Sequence, residues 1–120
     1  MTTEPRRWTG TDLRAAREAL GLTQAALADW LGWKQSRVSD AESGRRKVPD
    51  EVAEKVTRLE AVRDRLRTEY SAQALGGSDL RIDAAGGSGV PLAVHLMAAT
   101  LATAYAQQMT GNRVHIVVEH

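Results

Sequence analysis

Between Lys34 and Ser43 the stretch KQSRVSDAES places Gln35, Ser36, Ser39 and Asp40 on the outward face of a helical segment whose inward positions are Val38 and Ala41. Arg37 stands beside them. No core needs these polar groups, and together they present donors and acceptors that match base edges in a DNA major groove. Gln35 can bond adenine N6 and N7 at once, and Lys34 can reach a phosphate or guanine O6/N7. Asp40 has three readings: an acceptor for cytosine N4, a partner that orients Arg37, or a solvated helix charge. Positive charge gathers in the same stretch. Lys34, Arg37, Arg45, Arg46 and Lys47 face only Asp40 and Glu42. Arg45, Arg46 and Lys47 follow Gly44, beyond the helix, where phosphates would pass. Glu42 is assigned to an internal ion pair or cap rather than to DNA.

Other chemistries find little support. There is no Cys, which removes disulfides, thiolate zinc sites and thiol catalysis and fits a reducing cytoplasm. His95, His115 and His120 are the only histidines, and no carboxylates stand with them at ligand spacing. No glycine loop ends in Lys-Ser or Lys-Thr to cradle a phosphate. The expectation is a protein that is not an enzyme and has no metal or cofactor. A net charge of +1 is too small for a non-specific nucleic-acid coat, so binding must rest on local charge. No apolar run is long enough to span a bilayer, and MTTEPRRWTG lacks the apolar core of a signal peptide. A cytoplasmic location with no membrane contact follows.

Helices must position the polar row. Leu13, Ala16 and Leu20 form one apolar stripe, opened by Thr9 or Thr11 as cap with Asp12 near the positive end, and Gly21 closes it. Thr23 caps the next helix, to which Ala25, Leu27, Ala28 and Leu31 give an apolar face. Gln24 sits in its first turn, where its amide and the helix N-terminus can meet the same phosphate. Gly32 and Gly44 end the second and third helices. These helices are too short to stand alone. A fourth starts at Pro49-Asp50 and repeats Val52, Val56, Leu59, Val62, Leu66 and Tyr70 to about Tyr70. Residues 1–10 read as a flexible arm, with contact of Arg6, Arg7 and Trp8 to DNA as the alternative.

The segment LRAAREALGLTQAALADWLGWKQSRVSDAESG resembles the Cro/cI-type helix-turn-helix family of phage and bacterial regulators. Leu20, Gly21, Leu22, Thr23, Gln24, Leu27, Ala28, Leu31, Gly32, Val38, Ser39, Glu42 and Gly44 carry the resemblance. It implies base reading by Gln35, Ser36, Ser39 and Asp40, and phosphate binding by Gln24, Arg45, Arg46 and Lys47; Lys34 and Arg37 are expected to join the base-reading set, and Thr23 and Ser43 the phosphate-binding set. Three positions depart from the family pattern. Trp33 stands where Val or Ile is usual, Ala41 where a large side chain is usual, and Lys34 where a small capping hydroxyl is usual. Trp33 is expected to fill the volume Ala41 vacates.

After Ser71 charge nearly vanishes. Leu80–Asp83 reads as a short strand, the stretch from Pro91 to about Gln108 as an Ala-rich helix buried nearly all round, and Arg113–Glu119 as a strand. Such a tail is expected not to bury itself but to form an intermolecular sheet with a second copy. The dimerising side chains would be Leu92, Leu96, Met97, Leu101, Tyr105, Val114, Ile116 and Val118. In its order of elements the tail resembles the dimerisation domain of small autorepressors such as anti-CRISPR-associated regulators.

The expected fold class is mainly α: a helix-turn-helix domain over residues 11–72, then a small α+β, strand–helix–strand dimerisation segment over 73–120. The implied function is a dimeric, sequence-specific DNA-binding repressor or autorepressor of a phage or bacterial operon, acting on an inverted repeat of double-stranded DNA. The alternative is an antitoxin-like module whose tail engages a protein partner while the helices bind DNA.

Overall fold

The computed structural model describes residues 7–86 and 89–120. Residues 1–6, most of the expected arm, lie outside the described residues, as do Gly87 and Ser88 of the glycine run. Among the described residues five helices and two strands follow in order: α1 Gly10–Ala19, α2 Gln24–Leu31, α3 Gln35–Ser43, α4 Asp50–Leu75, β1 Leu80–Asp83, α5 Leu92–Thr110 and β2 Ile116–Glu119. The chain forms two compact units, one through Arg58 and one from Leu59. Their division falls within α4, after Arg58, and the change of composition comes later in the same helix, at Ser71.

In the first unit the apolar stripes meet as their spacing requires. Leu13, Ala16, Leu20, Leu22, Leu27, Ala28, Val38, Ala41, Val52 and Val56 are buried. Ala25, expected on the apolar face of α2, is instead exposed. Between the two candidate caps of α1, the structure selects Thr9. Its hydroxyl accepts the Asp12 N–H at 3.2 Å while the Asp12 carboxylate accepts the Thr9 N–H at 2.9 Å. The reciprocal box needs an acidic residue three positions on, which Thr9 has and Thr11 lacks. The end of the arm is therefore ordered, with Thr9 as cap and Gly10 inside the helix. Gly10 also lies against α3: a Cβ there would run into the carbonyl oxygens of Ala41 and Glu42.

The second unit corrects the expectation that the tail cannot bury itself. β1 and β2 pair with each other, in parallel and within one chain, in the register Leu80↔Ile116 to Asp83↔Glu119. Parallel neighbours need a long crossover, and α5 supplies it. Ala74, Leu80, Ile82, Ala99, Ala102, Ala106 and Val114 form the core, with Tyr70, Leu92, Leu96 and Ile116 packed on it. Small residues on the inner face of α5 let its backbone approach the sheet. Its other face leaves Leu101, Tyr105 and Met109 exposed, so α5 is not buried all round. α4 continues past Tyr70 through SAQAL to Leu75, because Ala and Gln favour helix and nothing breaks it before Gly76-Gly77. β2 is shorter than expected, since Arg113–His115 do not join the strand. Among the described residues no helix is long and apolar enough to cross a membrane.

Candidate nucleic-acid interface

α3 packs against both α1 and α2, and a nearly buried charge network ties the three together. The Arg17 guanidinium of α1 grips the Glu42 carboxylate of α3 with a fork, Nε to Oε2 at 2.7 Å and Nη2 to Oε1 at 3.1 Å. Its third nitrogen, Nη1, donates to the Leu22 carbonyl at 2.8 Å and so holds the turn between α1 and α2. Gln24, the first residue of α2, donates to Glu42 Oε1 at 3.2 Å. The side chains of Arg17 and Glu42 are only 11% and 5% exposed. Glu42 is thus an internal ion-pair partner. The sequence left its cation unnamed, although Arg17 falls between Leu13 and Leu20 on the apolar side of α1.

The polar row lies on the opposite side. Gln35, Ser36, Arg37 and Ser39 are exposed, Asp40 is half-buried, and Val38 and Ala41 turn inward. Lys34 occupies the N-cap of α3 and makes no side-chain capping bond, so the first turn of this helix is open. The Arg37 guanidinium stacks 3.9 Å over the Trp33 ring. Trp33 is half-buried and shares with Ala41, Arg37 and Pro49 the wall of a cavity of about 270 Å3, so it does not fill the space beside Ala41 completely. Asp40 faces Arg45 and Arg46 rather than Arg37, each at 3.9 Å.

Gly44 takes the left-handed conformation, φ 87°, that lets α3 stop. The N–H groups of Arg45 and Arg46 then both donate to the Asp40 carbonyl. Arg45, Arg46 and Lys47 are exposed, beside the outward row. Because Arg17 takes the Glu42 charge inward, this surface carries five cations against the single carboxylate of Asp40. It is more positive than the segment's formal charge.

The remaining expected site residues fall as follows. The Thr23 hydroxyl accepts the Ala26 N–H at 3.0 Å as the α2 cap. Ser43 donates to the Asp40 carbonyl at 3.1 Å. Gln24 spends one of its two amide N–H groups on Glu42. Of the apolar tail set, Val114 is in the core, Leu92, Leu96 and Ile116 pack on it, and Met97 and Val118 are half-buried. Leu101 and Tyr105 stay exposed, at 39% and 47%. His95 bonds the Tyr70 hydroxyl through Nδ1 at 2.9 Å. Among the described residues no group of three His, Asp or Glu could hold a metal.

No curated protein matches the chain. Residues 8–70, just over half of its length, match the helix-turn-helix domain family. That span holds α1, α2, α3, the charge network and most of α4. The chain belongs to the helix-turn-helix domain family.

Proposed function

We propose that the protein is a sequence-specific transcriptional regulator of the Cro/cI subtype, a repressor or autorepressor of a phage or bacterial operon. It acts as a homodimer on an inverted-repeat operator in the cytoplasm, without a cofactor and without catalysis. The observation that carries this reading is the exposed row of Gln35, Ser36, Arg37 and Ser39 on an inwardly anchored helix, rimmed by Lys34, Arg45, Arg46 and Lys47. Hydrogen-bonding groups in the first turns would read bases, and the rim would hold phosphates.

One such helix reads few base pairs, so useful affinity needs two copies. Leu101 and Tyr105, with Leu75 beside them, supply apolar surface that a second subunit would cover. Selection of bound duplexes from a random pool, followed by footprinting, tests the reading. A dyad-symmetric site with half-sites about 10 base pairs apart, or a multiple of that, is the expected result. A site without dyad symmetry, or a monomer by light scattering at micromolar concentration, would count against the dimer.

A further inference from the structure

The segment ahead of α1 and the loop after α3 together enclose a groove of about 410 Å3. Its walls include Arg7, Trp8, Arg46, Lys47 and Asp50. The groove is a consequence of two local features. Gly10 lets the start of α1 lie against the carbonyls of Ala41 and Glu42 at the end of α3. The Thr9–Asp12 capping box then fixes the direction from which the chain arrives. Arg7 and Trp8 are thereby laid beside Arg46 and Lys47. Three cations meet one carboxylate, and Asp50 lies in the first turn of α4, where the helix dipole offsets its charge.

Arg46 does not belong to this groove alone. It also lines the cavity walled by Trp33, Arg37 and Ala41, and a third one beside Lys34, Ser36 and Asp40. Lys47 is shared by the first two. Lys34, Arg37, Arg46, Lys47 and Arg7 thus line three adjoining grooves that share Arg46. Adjoining open grooves lined by cations suit a polyanion that runs along them.

We propose that the Arg7–Trp8 groove binds the sugar-phosphate backbone of the same duplex, outside the base pairs that α3 reads. Arg7 and Lys47 hold phosphate oxygens, and the Trp8 ring forms the apolar wall against deoxyribose. The proposal rests on the reading that α3 presents its exposed row to DNA. It adds a flank contact that extends the site and favours longer duplexes without choosing bases.

The test compares full-length protein with its Arg7→Ala variant on two duplexes. One carries only the selected core site; the other is extended by half a helical turn at each end. Wild type should bind the extended duplex more tightly and with the steeper salt dependence. Arg7→Ala should lose roughly tenfold on the extended duplex, as expected of one charge-assisted bond to phosphate. Its log–log salt slope should flatten by about one, and its hydroxyl-radical footprint should lose the outermost protected sugars. Binding to the short duplex and the circular-dichroism melting curve should not change, and Arg7→Lys should restore the slope.

Equal losses on both duplexes, or none on either, would overturn the proposal. So would saturable, Arg7-dependent binding of inorganic phosphate without DNA at concentrations that leave duplex binding unaffected, because the groove would then be a free-anion site. Gln35→Ala measured alongside separates the two readings. If it leaves base preference intact while Arg7→Ala still removes the gain from flanks, the flank groove stands and the base-reading role of α3 falls. The reverse pattern overturns the groove alone.

Discussion

Replacing Arg17 with Met keeps an unbranched apolar stem while deleting the guanidinium and its charge. Wild-type Arg17 makes two charge-assisted bonds to Glu42 and one to the Leu22 carbonyl, at 2.7, 3.1 and 2.8 Å. In the variant the Glu42 carboxylate keeps one donor, Gln24. With 5% of the Glu42 side chain exposed, water has little access to replace the missing partner. Breaking a buried pair from one side costs about 3–5 kcal/mol. The retained Gln24 bond argues for the lower end, about 3 kcal/mol. Urea unfolding followed by far-ultraviolet circular dichroism measures the loss. The double variant Arg17→Met/Glu42→Met supplies the control, since well-packed apolar replacement of an ion pair is often neutral. It should recover most of the stability. If Arg17→Met costs less than about 1 kcal/mol, the pair behaves as a solvated surface bridge and the anchoring role is wrong. If the double variant is no better than the single, the loss comes from packing and the charge argument fails.

Gln35→Ala should cost about 1–3 kcal/mol at the selected site and relax discrimination at one base pair per half-site, read from competition against random DNA. Arg46→Ala should weaken specific and random DNA alike and flatten the salt slope by about one for each phosphate that the side chain held, seen in a salt titration. A chain ending at Leu75 keeps α1 to α4; it should stay helical by circular dichroism, run as a monomer in light scattering, and bind DNA weakly through loss of avidity. Burial, aided by Glu69, pushes the Tyr70 hydroxyl above the ordinary value of 10.0. The folded state thus holds this proton more tightly than the unfolded chain, so its stability contribution is complete below pH 10 and lost as pH rises through the folded value; the late step in tyrosinate absorbance should vanish in Tyr70→Phe.

Elements with local causes were legible in the sequence. Thr23, Gly32 and Gly44 bound their helices as expected, and Val38 and Ala41 face the core. The capping box of α1 was also a local signal: the pattern Thr9-Gly10-Thr11-Asp12 favours Thr9 over Thr11. What depends on distant partners was not legible. Arg17 and Glu42 are 25 residues apart, and only packing of α1 on α3 brings them together. The tail misled for a related reason. Strands of four residues carry too little pattern to choose a partner, and the length of the α5 connection, which permits a parallel pair, was the stronger clue. Of the apolar residues assigned to a dimer, Val114 lies in the core of the second unit and Leu92, Leu96 and Ile116 pack on it. The groove beside Arg7 depends on Gly10, whose meaning lies in the α3 carbonyls it approaches.

The way α3 is held bears on how it could read DNA. Its last turn is fixed from several sides: the Gly10 backbone lies against Ala41 and Glu42, Arg17 and Gln24 grip the Glu42 carboxylate, and Arg45 and Arg46 close on the Asp40 carbonyl. Its first turn is the opposite, with Lys34 offering no cap and Gln35 and Ser36 exposed. A recognition helix enters the groove with its N-terminal residues, so that end must shed neighbours while the other end fixes the orientation. Arg37 lies between the two regimes, exposed yet stacked on Trp33. A stacked guanidinium keeps its in-plane donors while losing rotational freedom. The unusual Trp33 therefore does more than occupy core volume. It ties the conformation of a candidate base-reading side chain to the turn between α2 and α3, so that substituting Trp33 should disturb DNA selectivity as well as stability.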